Sequence, residues 1–270
     1  MISLHVFWLA LIQGITEFLP VSSSGHLILF AKYTNFGDQG QAMDIALHVG
    51  SLIAVIWYFW KTISGMLIAL YKNKFLPDFR VTDNRLAYYI LFATLPAIII
   101  GGILSYFGME WVRSVKLIGW MLILYAVLLW YADTKFSTEK TLENMKLHEA
   151  LIIGFSQCLA FIPGTSRSGV TITTGRLLGF NRSEIAKFSM LLSIPSILAA
   201  GVVALCTIIK GAAVTRLAMA YQAVGWSFVF SFAAIWFMMN WLRTKTFMPF
   251  IIYRIILGGL LLWNAYDLHF

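Results

Sequence analysis

The chain has 270 residues, of which 60% are hydrophobic and 12% charged, with a net charge of +8 and a mean hydropathy of +0.79. Too few polar residues are present to cover a water-soluble surface, so the composition excludes a soluble protein and indicates an integral membrane protein. No Lys or Arg occurs in the first 15 residues, so we expect no cleaved signal peptide.

The predicted elements follow from the roughly 20 apolar residues that a helix needs to cross a membrane. Residues 2–31 and 150–175 are apolar and long enough, but a cluster of Pro, Gly and Ser interrupts each in the middle. We expect these two to enter the membrane, turn at depth and leave on the same side. Six crossing helices are predicted at about 46–70, 86–107, 117–132, 188–209, 217–242 and 246–266.

The interrupting clusters resemble each other. E-F-L-P-V-S-S-S-G-H at 17–26 and A-F-I-P-G-T-S-R-S-G at 160–169 share Phe-x-Pro, small polar residues and Ser-Gly, about half a chain apart. The similarity predicts an internal duplication. Each copy then holds one re-entrant segment and three crossings, and an odd number of crossings inverts the second copy relative to the first. This is an arrangement known from transporters.

The fold class is therefore an all-α polytopic membrane protein with six transmembrane helices plus two re-entrant broken helices in an inverted-topology repeat. We expect one membrane domain, 1–270, made of repeats at about 1–132 and 133–270. With residues 72–85 in the cytoplasm, the inside loops carry twelve Lys or Arg and the outside loops four. The positive-inside rule predicts this bias, and the first re-entrant segment then enters from outside.

Glu17 is the only carboxylate in the first 37 residues and lies in an apolar run. Such groups are rare in membrane segments and usually line a polar cavity. Gln13 lies four residues earlier on the same helical face, so the two could hold a metal ion or a polar head group. A structural role for Gln13 is an equal alternative.

Ser22, Ser23 and Ser24 follow Pro20, which ends the first half-helix. They can cap the next half-helix, and three in a row also suggest that a hydroxyl faces the cavity. His26 could exchange a proton there, although a lone histidine is usually structural.

Arg167 is the only charge in the second re-entrant segment, flanked by Gly164, Ser166, Ser168 and Thr171. Hydroxyls and free N–H groups at a helix start suit an anion such as phosphate. The alternative is a purely structural ion pair between Arg167 and Glu17.

Other charges and imidazoles in apolar runs are interpreted as structural. His5 and His48 have no comparable polar companions in sequence, and Lys61 and Arg254 are expected to snorkel to the membrane surface.

These motifs resemble the bacterial undecaprenyl pyrophosphate phosphatase family, which is also associated with bacitracin resistance. The similarity rests on Q-G-I-T-E at 13–17, P-V-S-S-S-G-H at 20–26 and P-G-T-S-R-S-G-V-T at 163–171, and it spans essentially the whole chain. Gln13 takes the amide form that the family's first position allows, which weakens any chelation by two carboxylates.

The resemblance implies removal of the terminal phosphate from undecaprenyl pyrophosphate, which recycles the lipid carrier of cell-wall synthesis. It implies that Glu17, Ser23, His26 and Arg167 are catalytic. The expected substrate-binding residues are Gln13, Ser22, Gly164, Ser166, Ser168 and Thr171. Ser23 would attack and Arg167 would hold the phosphate, with His26 ranked as base and Glu17 as orienter or metal ligand. The reverse assignment, and direct attack by water, stay open.

Several partners follow as expectations: the membrane, a polyprenyl pyrophosphate lipid and no nucleic acid. A divalent cation, Mg²⁺ or Ca²⁺, is a candidate cofactor at Glu17, no organic cofactor is expected, and a homodimer is a candidate assembly. The protein is expected in the bacterial cytoplasmic (inner) membrane, with the site toward the outer face and a lateral opening for the lipid tail. The rival function is a transporter or flippase of an anionic polyprenyl phosphate, and a membrane scaffold is a weaker one.

Overall fold

The computed structural model describes residues 4–34, 40–107, 114–211 and 217–267. Regular structure in these ranges is helical throughout, with no β-strand. The α-helices are α1 Leu4–Thr16, α2 Ser23–Tyr33, α3 Gln41–Tyr58, α4 Trp60–Lys72, α5 Thr82–Phe107, α6 Val115–Lys135, α7 Leu147–Gln157, α8 Arg167–Leu177, α9 Arg182–Gly211, α10 Leu217–Trp241 and α11 Met248–Asp267. Short 3₁₀ helices lie at Leu142–Asn144 and Cys158–Phe161 in the same ranges.

Five of the described helices, α5, α6, α9, α10 and α11, are long and apolar enough to cross a membrane. Helices α3 and α4 pass the same test only as a pair, which bends by 78°. The all-α polytopic membrane fold is therefore confirmed. The predicted crossing at about 46–70 corresponds to this bent pair, in which the helix breaks at Phe59.

Tertiary contacts hold this bend. Phe59 has non-helical dihedral angles, φ −97° and ψ 20°, and its ring is buried in the core. Helix α4 packs on the start of α5. The two helices are so close there that a Cβ atom at Gly65 would lie 2.7 Å from Asp83 Oδ2. No Pro or Gly marks the break in sequence, so nothing local predicts it.

The two interrupted segments form half-length helices. Helices α1, α2, α7 and α8 have 13, 11, 11 and 11 residues, and 11 residues rise about 16 Å. That length is about half of a hydrocarbon core of roughly 30 Å. The turns at 17–22 and 158–166 therefore lie near mid-depth when the far ends reach the membrane surface.

Loop contacts define two opposite faces of the molecule. At one face, Arg85 donates to the Glu143 carbonyl (2.6 Å) and Arg182 donates to Asp133 (2.6 Å). At the other, Tyr33 donates to Asn264 (3.0 Å) and Lys116 lies 4.4 Å from the centre of the Tyr266 ring. We call these the Asp133 face and the Asn264 face. Residues 133–148 thus share one face with residues 72–85, which are predicted to be cytoplasmic.

The two turns lead to opposite faces. Helix α2 ends at Tyr33 on the Asn264 face, whereas α8 ends near Arg176, which bonds Asp133 (3.1 Å) on the Asp133 face. Helix α1 packs on α10 and α7 packs on α5, while α6 packs on α11. The inversion of complete halves, with a boundary near 132, stays a prediction.

Small residues allow the half-helices to approach their neighbours closely. A Cβ atom at Gly14 in α1 would lie 2.6 Å from the Phe230 Cβ in α10, and one at Gly154 in α7 would lie 2.2 Å from the Ala93 carbonyl in α5. Beside the first contact, Ser231 of α10 donates to Ser51 of α3 (2.9 Å). Half-helices of both interrupted segments are thus held against full-length helices, which fixes the position of their turns.

Candidate active site

The two turns are built alike. Ser22 and Ser166 both have a positive φ, 78° and 74°, and each is the N-cap of the half-helix that follows. The Ser22 hydroxyl accepts a hydrogen bond from the Gly25 N–H (3.3 Å), and the Ser166 hydroxyl accepts one from the Gly169 N–H (3.1 Å). Non-glycine residues in this backbone region are strained and cluster at functional sites. Both turns that the sequence motifs mark therefore contain such a strained residue, as does the loop at Lys74 and Phe75.

The second turn has one residue more than the first between its proline and its capping serine. Gly164 lies there with φ +92°, and a Cβ at this position would lie 2.6 Å from the Ile118 carbonyl. A side chain is excluded on both grounds. Gly164 thus shapes the turn, and its expected role in substrate binding stays a prediction.

The Glu17 carboxylate joins the two turns. Its Oε1 accepts a hydrogen bond from Arg167 Nη2 at 2.9 Å, and its Oε2 accepts one from Ser23 Oγ at 2.9 Å. Gln13 Nε2 also donates to Oε2 at 2.9 Å. Glu17 is only 7% exposed, so this ion pair is buried. Gln13, Ser23 and Arg167, all predicted site residues, therefore meet at the carboxylate of Glu17.

His26 is not part of this cluster. Its Nδ1 lies 2.6 Å from the Ser22 carbonyl oxygen, and its Nε2 lies 2.6 Å from the Tyr253 hydroxyl. A carbonyl only accepts, so Nδ1 carries the proton and a neutral ring accepts from Tyr253. The Ser23 hydroxyl is bonded to Glu17, which makes the carboxylate and not the imidazole its nearest base.

His48 lies beside Glu17, and the expectation that it has no polar companions is wrong. Its Nε2 is 3.7 Å from Glu17 Oε2, while Nδ1 is 2.7 Å from the Asp44 carbonyl oxygen. The His48 side chain is 37% exposed. Sequence offered no signal for this contact except an imidazole inside an apolar helix.

The remaining predicted binding hydroxyls are engaged with the protein. Ser168 Oγ donates to the Leu19 carbonyl (2.9 Å) and so links the second turn to the first. Thr171 Oγ1 donates to the Arg167 carbonyl (2.9 Å) and pairs with Ser189 Oγ (2.7 Å). These contacts hold the turns in place, and phosphate binding by Ser22, Ser166, Ser168 and Thr171 stays a prediction.

Arg254 does not snorkel, which corrects the sequence interpretation. The residue is 0% exposed, and its guanidinium donates to the carbonyls of Pro20 (3.0 Å) and Gly164 (3.0 Å), one in each turn. An arginine in an apolar run can either snorkel to the membrane surface or bond groups inside the protein. Only its hydrogen-bond partners distinguish these two roles. Those partners lie 234 and 90 residues away in sequence.

Protein ligands for a metal ion are few. The described residues include no group of three or more His, Cys, Asp or Glu side chains that could hold one. The Glu17 carboxylate already accepts from Arg167, Ser23 and Gln13. Gln13 Oε1, however, is buried without a hydrogen-bond partner, and such an acceptor requires a donor, water or cation. These two oxygen-bearing side chains suit a cation that obtains its other ligands elsewhere.

The arrangement has the parts that phosphoryl transfer needs. Ser23 offers a hydroxyl bonded to a carboxylate, and Arg167 offers a guanidinium at the start of α8. Arg167 donates to Glu17 and to the Ser189 carbonyl (3.2 Å). A guanidinium has five N–H donors, so it can also bond a phosphate. The hydroxyl, carboxylate and guanidinium that lie together here are the groups that a nucleophile, a base and a cationic clamp require.

The family model described as bacitracin resistance protein BacA matches residues 6–260. The chain is 44% identical to a protein of Alteromonas mediterranea named undecaprenyl-diphosphatase, over 97% of this chain and 98% of that protein. Proteins with the same name from Ruegeria pomeroyi and a Jannaschia species are 44% and 43% identical, each again over 97% of this chain and 98% of the relative.

Proposed function

The chain belongs to the bacitracin resistance protein BacA family, and from this membership we propose that it removes the terminal phosphate of undecaprenyl pyrophosphate. The product, undecaprenyl phosphate, is the lipid carrier that cell-wall synthesis reuses. The observation that carries the proposal is the Glu17 carboxylate, which bonds Ser23 through one oxygen and Arg167 through the other. A phosphate bound between these side chains would contact the Ser23 hydroxyl as nucleophile and the Arg167 guanidinium as counter-charge.

The geometry favours Glu17 over His26 as the base. In the first step, Ser23 Oγ attacks the terminal phosphorus, the bridging P–O bond breaks, and the Oγ proton passes to Glu17. In the second step, water attacks the phosphoserine, inorganic phosphate leaves, and Ser23 regains its proton. Arg167 compensates charge on the equatorial oxygens in both steps, which is the main demand of phosphoryl transfer. His26 holds the Ser22 carbonyl and so orients the residue before the nucleophile.

A divalent cation fits this site as a companion of the substrate. Mg²⁺ is commonly held by one or two carboxylates together with substrate phosphates. Glu17 and the unpartnered Gln13 Oε1 would supply the protein oxygens, and the cation would neutralise phosphate charge. The steps above use only the side chains of this chain.

The transporter alternative explains less of the site. A carrier for an anionic lipid needs Arg167 and the broken helices, but it has no use for a hydroxyl bonded to a buried carboxylate. The names of the relatives also indicate a diphosphatase.

We further propose that the protein lies in the bacterial cytoplasmic membrane with the Asp133 face inside. The positive-inside rule supports this, because the twelve loop Lys and Arg belong to that side. The site then opens toward the outer leaflet. Two polar residues support this: Ser24, one residue into α2, is exposed, and His48, seven residues after the start of α3, has a partly exposed side chain.

The test is phosphate release by the purified protein in detergent. We expect release of one phosphate per undecaprenyl pyrophosphate, with undecaprenyl phosphate as the lipid product. A protein that binds the lipid but releases no phosphate would instead support the carrier function. Near wild-type turnover by the Ser23→Ala variant would rule out the covalent step and favour direct attack by water.

A further inference from the structure

One side chain of α11 contacts both turns of the site. Arg254 Nη1 donates to the Pro20 carbonyl at 3.0 Å, and Nη2 donates to the carbonyls of Gly164 and Thr165, each at 3.0 Å. Pro20 precedes Ser23 in the first turn, and Thr165 precedes Arg167 in the second. The spacing between the turns is therefore set by a single planar group.

The same guanidinium is anchored on a full-length helix. Its Nε donates to the Leu122 carbonyl at 3.1 Å and its Nη2 to the Met121 carbonyl at 3.3 Å, both in α6. Space for it is provided by Gly169, where a Cβ atom would lie 2.9 Å from Nη1. The turns are thus fixed relative to α6 as well as to each other.

The charge of Arg254 is stabilised by hydrogen bonds but is not neutralised by a counter-ion in the described residues. All its hydrogen-bond partners in the described part of the chain are carbonyl oxygens, and no carboxylate pairs with it there. Arg167, in contrast, is paired with Glu17. A buried charge without a counter-ion is costly. Glu17, Arg167 and Arg254 together therefore carry one net positive charge. This charge lies beside the two turns and complements an anionic ligand.

We propose that Arg254 is a positioning residue for the phosphatase reaction, which sets the separation of the two turns and lends its uncancelled charge to pyrophosphate binding. The inference rests on the proposed function and on the contacts above. Lysine keeps the charge but has no planar fork, so it cannot hold carbonyls of both turns and of α6 in this geometry. Methionine removes the fork and the charge while keeping much of the volume.

The test compares kcat and KM for undecaprenyl pyrophosphate in Arg254→Lys and Arg254→Met. A displacement of about 1 Å at a catalytic group can lower the rate about 100-fold, so we expect Arg254→Lys to lose about that factor in kcat with little change in KM. Arg254→Met should lose kcat and also raise KM, because the charge is gone. Wild-type kcat in Arg254→Lys would overturn the positioning role.

The matched control is Arg176, which is also 0% exposed and also donates to carbonyls, among them Ser137 (2.8 Å) and Phe136 (3.2 Å). It differs in being paired with Asp133 on the Asp133 face. Arg176→Lys should lower thermal stability and leave the kcat of the folded enzyme unchanged. An equal loss of kcat in Arg176→Lys would show that the effect is only structural.

Two further measurements keep the inference open to refutation. If the Arg254 variants do not fold, Gly169→Ala crowds the guanidinium without removing its charge, and we expect a lower kcat with an unchanged KM.

Stabilisation of the protein by inorganic pyrophosphate tests the charge without turnover, and Arg254→Met should reduce this stabilisation. Stabilisation without any phosphate release from the lipid by the wild type would refute the proposed function alone. Equal stabilisation of wild type and Arg254→Met would refute the charge role alone.

Discussion

Ser23 and Arg167 occupy equivalent positions in the two turns. Each is the first residue of its half-helix, each follows a serine with positive φ, and each bonds a different oxygen of Glu17. One turn thus contributes a hydroxyl and the other a guanidinium to a common carboxylate.

Loss of either equivalent side chain should abolish turnover. Ser23→Ala removes the proposed attacking oxygen and Arg167→Ala removes the proposed clamp on the transferred phosphate. We expect kcat to fall at least about 100- to 1,000-fold in each, as for loss of one transition-state donor. Phosphate release in detergent measures this.

The control for this prediction is Ser24→Ala, which removes the adjacent, exposed hydroxyl. This variant should keep wild-type turnover. Loss of activity in Ser24→Ala equal to that in Ser23→Ala would contradict the assignment of the nucleophile.

Breaking the buried ion pair should also lower stability. Glu17→Gln leaves Arg167 without its counter-charge, and Arg167→Met leaves Glu17 without one. Removing one partner of a buried pair costs about 3–5 kcal/mol, so each single variant should unfold earlier than wild type. The double variant should recover part of the loss in thermal unfolding experiments. Strict additivity of the two losses would show that the pair is not coupled.

His48 should affect turnover through its contact with Glu17. Its Nε2 lies 3.7 Å from Glu17 Oε2, so His48→Gln removes a polar neighbour of the proposed base. We expect kcat to change by about two- to fivefold, the size expected for a partly exposed pair.

His148→Gln is the corresponding control, since His148 is exposed near the start of α7. It should leave kcat unchanged. An unchanged kcat in His48→Gln would exclude His48 as an influence on Glu17.

A second carboxylate at position 13 should strengthen cation binding. The Gln13 amide donates to Glu17 at 2.9 Å, whereas Gln13→Glu would bring two like charges together unless a cation lies between them. We expect Mg²⁺ or Ca²⁺ to reach half-maximal activation at about tenfold lower concentration in the variant, a coupling of about 1.4 kcal/mol. Titration of chelator-treated protein with either ion checks this. An unchanged concentration for half-maximal activation would show that residue 13 does not contact the cation.

The two faces should label from opposite sides of the membrane. In a background without Cys158 and Cys206, a cysteine at Ser114 should react with an impermeant reagent added outside. Cysteines at Lys74 or Glu139 should react only from the cytoplasm, because their loops carry the positive charge. Outside labelling of Lys74→Cys would reverse the proposed orientation.

Sequence reasoning found the residues whose presence in an apolar run has few explanations. A buried carboxylate such as Glu17, or a guanidinium such as Arg167 among glycines and hydroxyls, is so costly in a membrane that function is a natural inference. The helical class and the two broken segments followed from composition and from Pro and Gly in the same way.

The missed features depend on partners that are distant in the chain. Arg254 carries the same local pattern as a snorkelling residue, and its contacts with Pro20 and Gly164 exist only in the folded protein. The imidazole of His48 and the break at Phe59 likewise have no local signature. Periodicity describes which face of a helix is apolar, but it does not identify what lies against that face.

The like construction of the two turns has a consequence for symmetry. Two identical turns related by a symmetry axis would place identical side chains at the positions of Ser23 and Arg167, either two hydroxyls or two guanidinium groups. In this chain the two turns are separate stretches of sequence, so each position can carry its own residue. A hydroxyl facing a guanidinium at equivalent positions is therefore open to two turns of one chain and closed to a symmetric pair of identical turns.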